Sequence, residues 1–131
     1  TAGGVYATGD VTAYYSDMRL KENIKPIENA IEKLNKISGY TYTANNLALD
    51  LKAAENKNQR IGVLAQEIKE VFPELISPAP FDRNPLNGES LSGEDYMTVK
   101  YERLVPVLIQ AIKEQQLQIE ELKSIVNGIT K

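Results

Sequence analysis

Ser16 and Lys21 are the two residues of this chain whose side chains can together carry out covalent chemistry. A serine hydroxyl becomes a nucleophile once a base accepts its proton, and a neutral lysine amine can serve as that base. The chain contains no Cys and no His, which excludes Cys–His and Ser–His–Asp arrangements. If the chain does covalent chemistry, the sequence predicts a Ser–Lys pair at these two positions.

The spacing of the two residues permits this pair only in a particular backbone geometry. In a strand their Cα atoms would be roughly 16 Å apart, with the side chains on opposite faces. In an α-helix they would be separated by about 7.5 Å along the axis and rotated by about 140°. A Ser–Lys pair therefore requires a turn between Ser16 and Lys21, or a lysine from a neighbouring chain. The alternative is that Ser16 caps a helix and Lys21 is a solvated surface residue.

Composition limits the other classes of function. With 131 residues and 42% hydrophobic content, the chain fits one domain with a modest core. The net charge of -3 argues against a nucleic-acid partner, and no apolar run is long enough to span a membrane. Without Cys, His or the spacing of a calcium-binding loop, we expect no metal and no cofactor. Because the chain starts at Thr1 and not at Met, we expect it to be a piece of a longer protein.

Periodicity predicts an α+β fold, with a small mixed body of short strands and two helices followed by a long C-terminal helix. Apolar residues at three- and four-residue intervals from Ile24 to Ile37 indicate an amphipathic helix that begins around Pro26 and ends before Gly39. The other predicted elements are strands at 39–44, 60–63 and 96–100, a second helix that Pro73 ends and whose buried stripe is Leu64, Ile68, Val71 and Phe72, a loop over most of 45–58, and a long protruding loop at 77–95.

The end of the chain carries an uninterrupted heptad pattern, which predicts a helix over about residues 101–129. One helix of this length would leave its far half bare against a small body, so we expect partner helices from other chains. The apolar residues at the a and d positions favour a parallel dimer or are mixed, and Gln115 would form a polar layer that helps to set the register. The predicted seam consists of Tyr101, Val105, Leu108, Ile112, Gln115, Ile119, Leu122, Val126 and Ile129.

Four blocks of sequence, taken in order, carry a family resemblance. They are SDMRLKENIKPI from Ser16, KLNKISGYTY from Lys33, RIGVLAQEIKEVFPELI from Arg60, and the pattern Tyr-x-x-Val-x-Tyr-x-x-Leu-x-Pro-x-Leu from Tyr96, which precedes the heptads. Together they resemble the C-terminal intramolecular chaperone auto-processing domain of bacteriophage tailspikes and tail fibres, a self-cleaving serine peptidase family that includes the endosialidase tailspikes. The resemblance covers about Gly9 to Val126.

The resemblance implies a homotrimeric chaperone that registers an upstream fibre and then cuts itself off. Residues 1–15 would be the end of that fibre, and residues 16–131 the chaperone domain with its coiled coil. The scissile bond would be Tyr15–Ser16, with Ser16 as nucleophile and Lys21 as general base, while Asp17 and Asn23 match motif positions with supporting roles. The implied trimer differs from the dimer-leaning seam, and we favour the trimer because a fibre contains three chains.

The implied partners are two identical chains and the upstream fibre of the same polypeptide, with no nucleic acid and no membrane. The domain would act in the host cytoplasm during virion assembly and would be absent from the mature particle. Each chain would react once, so the activity would be that of a single-turnover serine peptidase. Two alternatives remain open, a permanent trimerisation module without chemistry and a receptor-binding tip.

Overall fold

The computed structural model describes residues 6–12 and 15–130. The predicted end of the upstream fibre lies partly outside this range, since residues 1–5, 13 and 14 are not described. The chain has the predicted α+β fold. Its regular elements, in order, are α1 (Ala30–Leu34), β1 (Tyr40–Tyr42), α2 (Asn46–Asp50), β2 (Arg60–Gly62), α3 (Ala65–Val71), β3 (Ile76–Pro78), β4 (Met97–Val99) and α4 (Leu104–Thr130), with 3-10 turns at Met18–Leu20, Pro73–Leu75, Pro80–Asp82 and Tyr101–Arg103.

The four strands form two separate antiparallel pairs. β1 pairs with β2, with Tyr40 opposite Gly62, and β3 pairs with β4, with Ile76 opposite Val99. Gly62 is required by close packing, because a Cβ at this position would lie 2.9 Å from the hydroxyl of Tyr101 and 3.1 Å from the ring of Tyr42. The three predicted strands are confirmed as β1, β2 and β4. The pair β1–β2 contacts Tyr101, which lies in the 3-10 turn just before α4.

The core lies where α3 meets the beginning of α4. Its buried residues are Ile68, Phe72, Leu75 and Val107. Pro73 follows α3 as predicted and opens a 3-10 turn. The predicted stripe was wrong at Leu64, which is 47% exposed, because α3 begins at Ala65 and Leu64 has extended backbone before the first turn.

The first helix is much shorter than predicted, and its start was misplaced. α1 covers only Ala30–Leu34, and Asn29 before it has left-handed backbone, with φ 55°. The first two amides of α1 donate to a carboxylate from α4, with Glu114 Oε1 2.8 Å from Ala30 N and Oε2 2.9 Å from Ile31 N. A side chain 84 residues away thus caps the helix, where local periodicity had pointed to Pro26.

Two segments predicted as loops contain more structure than expected. Asn45 caps α2 by accepting from the amide of Ala48, so the body has one short helix more than predicted. The 77–95 loop is organised around the buried carboxylate of Asp82, which accepts from Ser90 Oγ at 2.7 Å, Ser92 N at 2.8 Å and Tyr96 N at 3.2 Å. Burial favours a raised pKa for Asp82, but these hydrogen bonds outweigh it and lower the pKa to about 2.

α4 has two faces with opposite environments. Val107 and Ala111 are buried against the body, while the predicted seam residues are exposed. α4 spans 27 residues and follows a 3-10 turn at Tyr101–Arg103, so the prediction of a long helix starting near Tyr101 to Arg103 is confirmed. None of the helices described is both long enough and apolar enough to cross a bilayer.

Candidate active site at the Ser16–Lys21 turn

A 3-10 turn folds Lys21 back onto Ser16. Leu20 N donates to Asp17 O and Lys21 N donates to Met18 O, each at 3.1 Å, and these two bonds close the turn Met18–Leu20. The Nζ of Lys21 then lies 3.1 Å from the Oγ of Ser16. Neither an α-helix nor a strand would allow this contact, so the condition that the sequence set for a Ser–Lys pair is met within one chain.

Asp17 holds the turn together. Its Oδ1 accepts from the Arg19 amide at 2.9 Å, which is the bond of an N-cap residue. Its carboxylate also accepts from the Arg19 guanidinium, with Nε 3.1 Å from Oδ1 and Nη2 2.9 Å from Oδ2. The side-chain hydrogen bonds from Arg19 lower the pKa of Asp17 and keep the carboxylate ionised.

Asn23 follows the turn in left-handed backbone, with φ 54°. Asn tolerates this conformation better than other residues with a Cβ, apart from Asp. Asn23 is exposed, and among the described residues it does not line the cavity next to the Ser–Lys pair. The turn therefore brings Ser16 and Lys21 together and pairs Asp17 with Arg19, while Asn23 lies just after it in left-handed backbone.

A cavity of about 700 Å³ adjoins the pair. It is lined by the upstream residues Val11, Thr12 and Tyr15, by Glu102 and Arg103 just before α4, and by Pro106 in the first turn of α4. Tyr15 is 55% exposed, so the bond between Tyr15 and Ser16 lies at the surface beside this cavity. Residues upstream of Ser16, the Ser16–Lys21 pair and the start of α4 thus line one cavity.

Sequence reasoning missed Glu102 and Arg103 as neighbours of the pair. They lie 86 and 87 residues after Ser16, inside the block Tyr96 to Leu108 that carried part of the resemblance. That block indicated a family but gave no role to its charged residues. Only the fold brings them to the cavity that Lys21 also lines.

Ser16 and Lys21 are both exposed in the single chain. The contact allows a proton to pass from the hydroxyl to the amine whenever the amine is neutral, and it leaves Oγ next to the carbonyl carbon of Tyr15 along the chain. Nowhere in residues 6–12 and 15–130 do three or more acidic side chains gather as a metal site would need. The chemistry that this geometry supports is acyl transfer to Ser16.

The fold and the turn define a small α+β domain with a Ser–Lys pair near its N-terminal end and a long, half-bare helix at the other. Residues 16–77 match the sequence model of a peptidase family described as chaperone of endosialidase, and the match begins at Ser16. This match confirms the predicted family resemblance over residues 16–77, a little under half of the chain.

The curated relatives are tail fibre proteins. The long tail fiber protein Gp37 of Enterobacteria phage K3 is 30% identical over 109 residues, which are 83% of this chain and 8% of that protein. The protein of the same name from Enterobacteria phage M1 is 32% identical over 110 residues, 83% of this chain and 39% of that protein. The one from Salmonella phage S16 is 29% identical over 116 residues, 88% of this chain and 15% of that protein. The chain thus spans well under half the length of each.

Proposed function

We propose that this chain is the intramolecular chaperone of a phage tail fibre and that it cuts itself from the fibre at Tyr15–Ser16. The observation that carries the cleavage is the 3.1 Å contact between Lys21 Nζ and Ser16 Oγ. The start of the family match at Ser16 supports a domain boundary at the same bond. The tail fibre relatives support a fibre as the upstream part of the polypeptide.

The cleavage follows from the positions of these groups. Neutral Lys21 takes the hydroxyl proton of Ser16, and Oγ forms a bond to the carbonyl carbon of Tyr15. The bond from that carbon to Ser16 N then breaks, and the nitrogen takes the proton from the lysine ammonium. The product is an ester between Tyr15 and Oγ. Water hydrolyses this ester and leaves a carboxylate on Tyr15 and a free amine and hydroxyl on Ser16.

The chemistry requires a neutral amine, and we propose that assembly provides it. A free lysine amine titrates at about 10.4, so a general base near pH 7.5 requires the charged form to be destabilised by about 4 kcal/mol. Burial of the amine would destabilise its charged form. Since Lys21 is exposed in the single chain, a second chain or the upstream fibre has to bury it. Cutting would then wait until the fibre chains are in register.

The exposed seam of α4 supports self-association of these chains, and we propose a homotrimer because a fibre contains three chains. Val105, Leu108 and Ile112 are 55%, 48% and 65% exposed, and the seam continues with exposed apolar residues to the end of the helix. Apolar residues repeated at heptad spacing bury themselves against partner helices. Holding three chains together at one end lowers the entropic cost of finding the right pairing in a long fibre. The domain would act in the host cytoplasm and would itself be the fragment that the cut releases from the fibre.

The cleavage is tested by expressing the chain with its upstream fibre segment and following it on a denaturing gel. We expect the wild type to split and to yield a fragment whose N-terminal residue is Ser16, as mass spectrometry would show. Ser16→Ala and Lys21→Ala should remain whole. Lys21→Arg is the sharper variant, because arginine keeps the charge and cannot act as a base. Lys25→Ala, the matched control, should be cut like the wild type.

An intact wild type would contradict the cleavage and favour a permanent trimerisation module.

The trimer has its own test by analytical ultracentrifugation. Ile119→Asp on the seam should lose the trimer, whereas Leu117→Asp should keep it, because Leu117 is equally apolar and 62% exposed but lies off the seam. A monomeric wild type, or equal behaviour of the two variants, would contradict the role of the seam.

A further inference from the structure

The ion pair between Asp17 and Arg19 lies one residue from the proposed nucleophile. Arg19 holds both carboxylate oxygens of Asp17, with Nε 3.1 Å from Oδ1 and Nη2 2.9 Å from Oδ2. The Arg19 side chain is 85% exposed and that of Asp17 is 45% exposed, so this pair contributes little to the stability of the body. Its position on the turn suggests a different use.

The carboxylate of Asp17 could prevent Lys21, on the same turn, from acting as a general base. A carboxylate close to an amine favours the charged ammonium form, and an ammonium cannot accept the proton of a hydroxyl. Asp17 is adjacent to Ser16, whose Oγ is the partner of Lys21 Nζ. An unpaired Asp17 side chain would therefore compete with Ser16 for the amine of Lys21.

Other charged groups near Lys21 do not remove this competition. Glu102 and Arg103 line the same cavity from the root of α4 and bring one charge of each sign. Glu22, the next residue along the chain, is exposed and adds a second carboxylate. Whether the Lys21 amine is neutral or charged thus depends on whether the Asp17 carboxylate is paired with another group.

We infer that Arg19 is a positioning residue that acts through Asp17, by holding the carboxylate on the turn and away from the amine of Lys21. This inference rests on the proposed self-cleavage. The planar guanidinium suits the task because it binds both carboxylate oxygens at once, which a lysine ammonium cannot do. The same carboxylate remains free to cap the turn through the Arg19 amide, so the turn keeps its shape.

The test is the pH dependence of self-cleavage in the full chain with its upstream fibre. Arg19→Gln frees the Asp17 carboxylate, so we expect the pH of half-maximal cleavage rate to rise by about one unit and the rate at pH 7.5 to fall about tenfold. Asp17→Asn keeps an oxygen for the cap but has no charge. Because an Asn at position 17 carries no charge, Arg19→Gln should shift the profile only when Asp17 is present, so the double variant and the Asp17→Asn single variant should share one pH of half-maximal cleavage rate.

The possible outcomes separate this inference from the proposal that supports it. An uncut wild type would overturn the self-cleavage and the inference together. A cut wild type with an unshifted Arg19→Gln profile would overturn the inference alone. So would an Arg19→Gln variant that stays impaired when Asp17→Asn is added, because that result assigns Arg19 a merely structural role. An upward shift that Asp17→Asn reverses would support it.

Discussion

The Ser16–Lys21 turn and the 77–95 loop are both irregular segments built on an aspartate, but the two carboxylates are held in different ways. Asp17 is partly exposed and is paired with one charged side chain from its own turn. Asp82 is 2% exposed and is held by neutral donors from Ser90, Ser92 and Tyr96. The carboxylate of the loop thus has all these hydrogen-bond partners within one chain. The turn brings Ser16 and Lys21 into contact but leaves both side chains exposed, so that a partner can cover them.

The largest difference should appear in thermal stability. Asp82→Ala leaves three partly buried donors of the loop without their acceptor, so we expect the Tm to fall by about 10 °C. Asp17→Ala removes one exposed ion pair and one cap and should lower the Tm by no more than about 3 °C. Calorimetry on the two variants measures the contrast, and equal losses would break it.

Acid should erase the contribution of Asp82. The pKa of Asp82 in the folded chain, about 2, lies below the ordinary 3.8. Its ionised form therefore adds stability above about pH 4, and this is lost as the pH falls through about 2. We expect the stability difference between wild type and Asp82→Asn in urea unfolding to narrow from pH 4 to pH 2. A difference that stays constant would show that the charge of Asp82 contributes nothing.

Left-handed residues in the two segments should also differ in their tolerance of substitution. Gly88, at φ 74°, faces open space, so Gly88→Ala meets only backbone strain and should cost about 1 kcal/mol. Asn23→Gly keeps access to the left-handed region and should change stability by less than about 0.5 kcal/mol. Gly39→Ala is the control, since Gly39 also faces open space without a positive φ. If Gly39→Ala costs as much as Gly88→Ala, strain is not the cause.

Salt gives the smallest and most specific contrast. The pKa of Asp17 is lowered mainly by the charged side chain of Arg19, an exposed interaction that salt screens. Raising the salt from about 0.05 to about 0.5 M shortens the Debye length about threefold, so the pKa of Asp17 should rise toward its ordinary value. The pKa of Asp82 should stay at about 2, because its donors are neutral and salt does not screen them in the same way. Carboxyl chemical shifts measure both, and a rise at Asp82 would contradict the assignment.

What the sequence could predict depended on whether the cause was local. The heptads of α4 and the alternation at 39–44 act over neighbouring residues, and both elements were found where the patterns placed them. The cap of α1 by Glu114 and the donors to Asp82 come from distant or looped-back residues, so periodicity missed them. The pattern therefore misplaced the start of the first helix and made the Asp82 loop look merely exposed.

The candidate site lies between these two cases. Ser16 and Lys21 are visible in the sequence, and so is the requirement for a turn. That the turn forms depends on Asp17 and Arg19, a local pair whose geometry no periodic pattern reports. Glu102 and Arg103 reach the cavity only through the fold.

Glu114 gives the molecule a thermodynamic link between its two ends. Its carboxylate binds both first amides of α1, so α1 keeps its cap only while α4 is helical as far as its third turn. Any partner that stabilises α4 therefore also lowers the free energy of the capped α1, by the same linkage that couples ligand binding to folding. A partner that binds the exposed part of α4 therefore also stabilises α1, although it does not contact α1 itself.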